Sequence, residues 1–377
     1  MPLYLEQLET PAAVVDLDIL AANLDRMAAY CAVHALRLRP HVKTHKAPRI
    51  AAEQLRLGAA GLTCATVREA EVMAELADDL LVAFPVLGTT KLRRLMALPS
   101  RTKLTVSLDS ARAAVQLAAA ADEIGREIGV LVELDVGMRR VGVADAAAAV
   151  ELARFVADRA PLRYEGVAFY PGHVRQSINE QGPVLADVAA QLGETLAALE
   201  KEGLTARVVS GGSTPAAWRM HEIPGLTEVR PGTYVYNDRV TAALGACEWD
   251  DCALTVVATV VSTAVPGQAV IDAGSKALGR EPMDATRAGD GAGPGFGALL
   301  DRPEVVVARM SEEHGILDLS RTDWKPKVGE VVRVVPNHVC IVVHLNDLIY
   351  GVRNGVVETR WPVAARGRDN PEMIPDW

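Results

Sequence analysis

From Leu36 to Tyr236 the chain alternates short apolar, β-branched runs with longer stretches of helical spacing. The runs are Leu36–Val42, Gly61–Ala65, Leu80–Phe84, Lys103–Leu108, Val130–Asp135, Tyr164–Tyr170, Arg207–Ser210 and Leu226–Arg230. About eight strands, each followed by a helix, are what a closed parallel barrel requires. The intervening stretches carry helix punctuation. Pro48 opens one and Gly58 follows its end. Thr66 and Glu69 have capping-box spacing, and Asp109 and Asp145 sit at N-cap positions. Leu185, Val188, Leu192, Leu196 and Leu199 form one apolar stripe, closed by Gly203.

After Ala246 the helical period fades. Leu254–Ser262, Gln268–Asp272, Val305–Met310 and Val331–Val335 read as strands separated by Gly and Pro. The early run Ala12–Leu17 can join them, because it precedes the first barrel helix. The expected architecture is therefore α/β, a (β/α)8 TIM-type barrel over residues 18–245. A smaller β-rich domain is built from 1–17 plus 246–377. The rival, an open doubly wound sheet, is marked by G-x-G-x-x-G after the first strand. That signature is absent there, and the alternate-glycine run from Gly289 to Gly297 lies far downstream, where it reads as a loop.

Composition narrows the class. With 377 residues, half of them hydrophobic, the chain can bury a large core. Its net charge of −9 and lack of a basic run argue against nucleic-acid or anionic-membrane partners. No stretch approaches the roughly 18 apolar residues of a membrane span. Met1–Thr10 has no apolar signal core. Five widely spaced cysteines do not form a disulfide framework, so a cytoplasmic, reducing compartment is expected.

Barrel chemistry collects at the C-terminal ends of the strands. His41, Lys43 and His45 follow the first strand, and Arg139 and Arg140 the fifth. Tyr170, Gly172 and His173 follow the sixth. The seventh leads into Gly211-Gly212-Ser213-Thr214 and the eighth into Gly232-Thr233-Tyr234. Loops after strands seven and eight are where barrels bind phosphate. Gly211 and Gly212 permit close backbone approach, and Ser213 and Thr214 can cap a short helix begun by Pro215. A simple capped turn accounts for the same residues. A lysine at a barrel mouth is a candidate Schiff-base nucleophile, but a solvated or ion-paired lysine fits Lys43 by position alone. His41 and His45 have metal-ligand spacing only if helical; at a strand end, His45 more naturally orients its neighbours.

The octet Arg39-Pro40-His41-Val42-Lys43-Thr44-His45-Lys46 resembles the signature of the D-threonine aldolase and D-serine dehydratase-like family. These are fold-type III pyridoxal 5'-phosphate (PLP) enzymes related to the N-terminal barrel of alanine racemase. Glu133 to Gly142, Gly211 to Pro215, Arg230 to Tyr234, Asp272 to Lys276, Glu312 to Gly315 and Pro336 to Cys340 match as well. The resemblance implies that Lys43 carries PLP, that Arg140 lies near the cofactor's phenolic oxygen, and that the two glycine turns hold its phosphate. It also implies a divalent metal held by His338 and Cys340, which would share a strand face at i and i+2. A His plus a thiolate suits Zn2+; Mn2+ and Mg2+ suit carboxylate-bearing relatives.

The implied reaction is lysis of a β-hydroxy-D-amino acid by a homodimer. It is either retro-aldol cleavage to glycine and an aldehyde, or dehydration of D-serine or 3-hydroxy-D-aspartate to a 2-oxo acid and ammonia. Tyr170 and His173 are the other candidate catalytic groups. The family's aldolases carry Tyr-x-Gly-x-x-Gln-His, whereas here His173 directly follows Gly172. A racemase, or a non-catalytic PLP-binding barrel, are the other readings.

Overall fold

The computed structural model describes residues 2–283 and 294–368. Contacts divide the chain into two units. One comprises Met27–Gly232 with the chain from Ala365; the other comprises Thr233–Ala364 with the chain up to Arg26. The seam falls inside the helix Leu17–Val33 and at the Gly232–Thr233 bond, against 17/18 and 245/246 expected from the sequence.

The first unit is a parallel eight-stranded sheet. Its strands are Arg37–Leu38, Leu62–Cys64, Asp79–Val82, Lys103–Leu108, Ile128–Leu134, Leu162–Phe169, Val208–Gly211 and Glu228–Val229. The sheet closes on itself. The eighth strand pairs with the first, and His41 bridges to Thr63 in the second. Val42 N donates to Thr63 O, and Thr63 N to Pro40 O. The first strand is much shorter than the run Leu36–Val42 predicts, because Pro40 has no N–H to give the ladder. Buried charge joins its end to the eighth and third strands: Arg39 contacts Glu228 at 2.8 Å and Asp79 at 2.6 Å. By contrast Ile128–Leu134 is buried at every position, as a strand covered on both faces must be.

The helix signals hold with one exchange. Pro48 begins Pro48–Arg56, Thr66 accepts from Glu69 N, and Asp145 accepts from Ala148 N. Asp109 is not a cap: Ser110 caps Ala111–Asp122, while Asp109 accepts from Gly142 N at 3.0 Å. The shorter Ser110 side chain sits at the residue whose backbone is extended, which is what an N-cap needs.

The second unit is antiparallel for the most part. Leu254–Ser262, Gln268–Ile271, Gly315–Asp318, Arg302–Met310, Gly297–Leu299 and Val331–Pro336 follow one another around a ring. Pairing of Val331–Pro336 with Leu254–Ser262 closes it into a barrel. Ala12–Asp16 joins this unit, antiparallel to Leu254–Ser262 and parallel to Leu348–Arg353. Most of the glycine-rich run from Gly289 lies outside the described residues. No helix among the described residues is long and apolar enough to cross a membrane.

Candidate active site

Lys43 sits in a turn, residues 42–45, that leaves the first barrel strand. Lys46 N donates to Val42 O and closes that turn. His45 pins it from below. Its Nδ1 accepts from Ala47 N at 3.1 Å, so the ring proton is on Nε2, which faces Gln54 Oε1 at 3.2 Å. Burial drives the His45 pKa down to about 4, against the opposing pull of its bonds to Gln54 and Ala47. The ring is therefore neutral at pH 7. Lys46, with a positive φ, turns its ammonium onto the buried carboxylate of Glu69. Glu69 Oε2 also accepts from Ala65 N.

The Lys43 ammonium faces the ring of Tyr170, 5.6 Å from the centroid, and Arg140 Cζ lies 4.8 Å from the same ring. Each of these is held by its own loop. Gly172 lacks a Cβ, which would come within 2.2 Å of the Tyr170 ring. The loop bearing Arg140 is tied by Asp135 Oδ1, which accepts from Gly137 N and Arg139 N. A Cβ on Gly142 would lie 2.4 Å from Asp135 N, so only glycine closes that loop. His173 packs against Gly137, and its Nδ1 is buried without a hydrogen-bond partner.

The turns after strands seven and eight meet backbone to side chain: Gly232 N donates to Thr214 Oγ1 at 3.2 Å. A Cβ on Gly232 would sit 2.8 Å from Thr44 Oγ1 and 3.0 Å from His41 O. A Cβ on Gly211 would strike the Phe169 ring at 2.3 Å, and Gly212 takes φ +98°. Ser213 Oγ is buried and has no partner. The expected helix at Pro215 is instead a short 3-10 turn, Ala217–Glu222, without a side-chain cap. Ser213 and Thr214 are thus not capping residues: Thr214 is spent on Gly232, which leaves the Ser213 hydroxyl for something the protein does not supply. Together, an orphaned hydroxyl, two glycine-lined turns and the cations Lys43 and Arg140 fit PLP, a phosphate-bearing aldehyde.

Three buried groups received no site role from the sequence, although His41 and Arg230 stand in its motifs. His41 Nδ1 is buried without a partner, and burial together with the Lys43 charge holds its pKa well below the ordinary value. Arg230 donates to Ser210 O at 2.8 Å and Phe169 O at 3.0 Å, tying the ends of strands six and seven. The Arg-Pro-Gly sequence was its only signal. The third, Asp238, belongs to the other unit.

In that unit Thr233 and Tyr234 open a short 3-10 turn, and Tyr234 is buried. His338 and Cys340 do not share a strand face. The strand ends at Pro336, His338 is the N-cap of the helix Val339–Leu345, and Cys340 lies in its first turn. The two side chains still meet. Burial lowers the His338 pKa, but the neighbouring Cys340 thiolate and Asp238 carboxylate outweigh it and hold the imidazolium up. Thr233 Oγ1 lies 4.0 Å from Cys340 Sγ. Among the described residues no group of three or more His, Cys, Asp or Glu side chains is arranged around a metal position. A His–thiolate pair is the donor chemistry of an exchangeable Zn2+ site that leaves places for water and substrate, and in that sense the residues fit a metal.

A closed parallel barrel with a lysine at its mouth and glycine turns after its last two strands defines a PLP barrel of fold type III. Residues 15–240 match the alanine racemase N-terminal domain, and residues 253–352 match a serine dehydratase domain. D-threonine aldolase from Arthrobacter sp. is 34% identical over 96% of this chain and 94% of that protein. The crystal structure of D-threonine aldolase from Filomicrobium marinum superposes with a TM-score of 0.87 at 35% identity, over 97% of this chain and 98% of that one. An alanine variant, at a cysteine, of D-threo-3-hydroxyaspartate dehydratase in its metal-free form superposes with a TM-score of 0.84 at 32% identity, over 95% and 98%. The chain belongs to the D-threonine aldolase and D-serine dehydratase-like family of fold-type III PLP lyases.

Proposed function

We propose that the chain is a PLP- and divalent-metal-dependent lyase of β-hydroxy-D-amino acids that cleaves a D-threonine-like substrate to glycine and an aldehyde. The observation that carries this is the Lys43 turn, with its ammonium and the Arg140 guanidinium both against the Tyr170 ring. PLP, when bound, serves as the sink for electron density at Cα. A divalent ion, when bound, polarises the substrate's β-hydroxyl. Lys43 Nζ would hold the cofactor. The Ser213 hydroxyl, Thr214, and the backbone of Gly211, Gly212, Gly232 and Thr233, with Tyr234, would hold the phosphate. Arg140 would neutralise the phenolic oxygen, and Tyr170 fixes Lys43 and Arg140 relative to one another. His173, whose Nδ1 has no protein partner, takes the β-hydroxyl proton. The Cα–Cβ bond then breaks, its electron pair stays at Cα, and the hydroxyl carbon leaves as an aldehyde. Protonation at Cα completes glycine.

Cys340 favours a second reading. A His–thiolate pair binds Zn2+ in preference to Mn2+ or Mg2+, and one structural relative is a dehydratase variant at a cysteine in a metal-free form. In that reaction Lys43 Nζ removes the Cα proton, the β-hydroxyl departs as water, and hydrolysis of the product yields a 2-oxo acid and ammonia. Family resemblance and the wide cysteine spacing support a cytoplasmic homodimer acting on small molecules.

The test is an assay of the PLP- and metal-loaded protein on D-threonine and D-serine, with glycine, aldehyde, ammonia and 2-oxo acid measured together. Glycine plus aldehyde, abolished by Lys43→Ala and by a chelator, is expected. Ammonia plus 2-oxo acid moves the assignment to the dehydratase. Racemisation without either product sinks the lyase reading.

A further inference from the structure

We propose that Asp238 is a positioning residue for the divalent metal, holding His338 so that Nε2 is the nitrogen offered to the ion. This rests on reading His338 and Cys340 as the metal donors. Asp238 is 0% exposed, and all of its polar atoms are engaged. It caps the short helix Arg239–Ala243: Oδ1 accepts from Thr241 N at 2.9 Å, and its own N–H meets Thr241 Oγ1 at 2.8 Å. Capping consumes one carboxylate oxygen and explains nothing about the other. Oδ2 is turned to a segment 100 residues away, where it meets His338 Nδ1 at 3.1 Å and Val339 N at 3.3 Å.

That double contact has a chemical consequence. A carboxylate only accepts, so the ring nitrogen facing it carries the proton. An imidazole that donates from Nδ1 can ligate only through Nε2, and the same bond makes Nε2 a stronger donor. Because Oδ2 also holds the amide of the next residue, the ring is fixed relative to its own backbone. Cys340 follows one residue later on the same helical turn. One buried carboxylate thereby sets His338 against the helix start that carries the thiol. Thr241 fixes the carboxylate in turn, through the oxygen that His338 does not use.

The experiment titrates Co2+ alone into the PLP-loaded full chain and reads the cobalt–thiolate absorption. Asp238→Asn retains a good N-cap and removes the carboxylate. Its Co2+ affinity should fall about 10- to 100-fold, while PLP absorption stays at the parent's value; the thermal midpoint of the metal-free protein falls as well, because the amide NH2 would face Val339 N–H. Thr241→Val strips the hydroxyl that bonds Asp238 N, O and Oδ1 but leaves the Thr241 N–H and the Oδ2 contacts, so its Co2+ affinity should stay near the parent's. Asp238→Asn binding Co2+ within about twofold of the parent overturns the proposal. So does a loss in Thr241→Val as large as that in Asp238→Asn, which would make the carboxylate a helix cap and nothing more. His338→Ala separates the two layers. If it binds Co2+ as the parent does, the metal reading itself falls and this inference with it. If it loses Co2+ while Asp238→Asn does not, only the role of Asp238 is lost.

Discussion

Acid should loosen the turn that carries Lys43, and His45 sets the size of the effect. The ring is buried, accepts from Ala47 N and faces Gln54, a set of partners that only neutral imidazole satisfies in full. Burial holds its pKa near 4, against 6.5 for a free side chain. The unfolded chain therefore binds a proton below about pH 6.5 that the folded chain refuses until about pH 4. The stability tied to neutral His45 is fully present above the unfolded pKa and drains away as the pH falls toward the folded one. At about 1.4 kcal/mol per pKa unit, the displacement amounts to about 3 kcal/mol over that window. His41, held low by burial and by the Lys43 charge, adds to the loss with the same sign. The comparison is between the parent and His45→Asn, whose side-chain oxygen can still accept from Ala47 N. At about pH 7.5 the variant should be the weaker by about 1–2 kcal/mol, having lost the Gln54 bond and some packing. Because it cannot titrate, its urea midpoint should fall less steeply, and the two curves should converge or cross near pH 4.5. A gap between parent and variant that stays constant from pH 7.5 to pH 4.5 would show that His45 is not the buried neutral base described here.

Ser213→Ala removes the one hydroxyl in the phosphate turns that has no protein partner; a lost bond to an anion, about 1.5–3 kcal/mol, should raise the PLP dissociation constant about tenfold or more in equilibrium dialysis. Glu69→Gln leaves the Lys46 ammonium buried without its counter-charge and should cost about 3–5 kcal/mol in thermal or chemical denaturation, whereas Lys46→Met with Glu69→Leu should cost much less. Cys340→Ala, or chelation, should abolish turnover without moving the PLP absorption, read in the same cuvette; a variant that turns over at the parent's rate with chelator present removes the metal from the reaction. Gly211→Ala drives a methyl into the Phe169 ring, and overpacking of about 1–3 kcal/mol should appear as a lower thermal midpoint.

The parts of this molecule that a sequence reveals are those whose cause is local. Ile128–Leu134 and Lys103–Leu108 were legible because a barrel strand is covered on both faces and reads as a run dominated by apolar and β-branched residues. The short strands Arg37–Leu38 and Glu228–Val229 were overextended on paper. They are tied by an ion pair between Arg39 and Glu228, 189 positions apart, which no periodicity records. The segment after Pro336 misled in a different way. Val339-Cys340-Ile341-Val342-Val343 is β-branched and apolar, so a strand and a buried helix look alike, and the i, i+2 argument chose the wrong one. His338 and Cys340 nevertheless come together, because an N-cap and the first turn of a helix also lie on one side. The same division runs through the site. Lys43, Arg140, Tyr170 and the glycine turns stand in short motifs, since each must present one atom from one loop. The groups that hold them do not: Glu69 reaches Lys46 from 23 residues away and Asp238 reaches His338 from 100. Chemistry needs particular residue types at particular spacings, whereas support needs only a complementary charge that the fold delivers. Support of that kind becomes visible only when each folded unit brings distant segments together, and it is there that substitutions will alter the hold on a cofactor or metal without touching it.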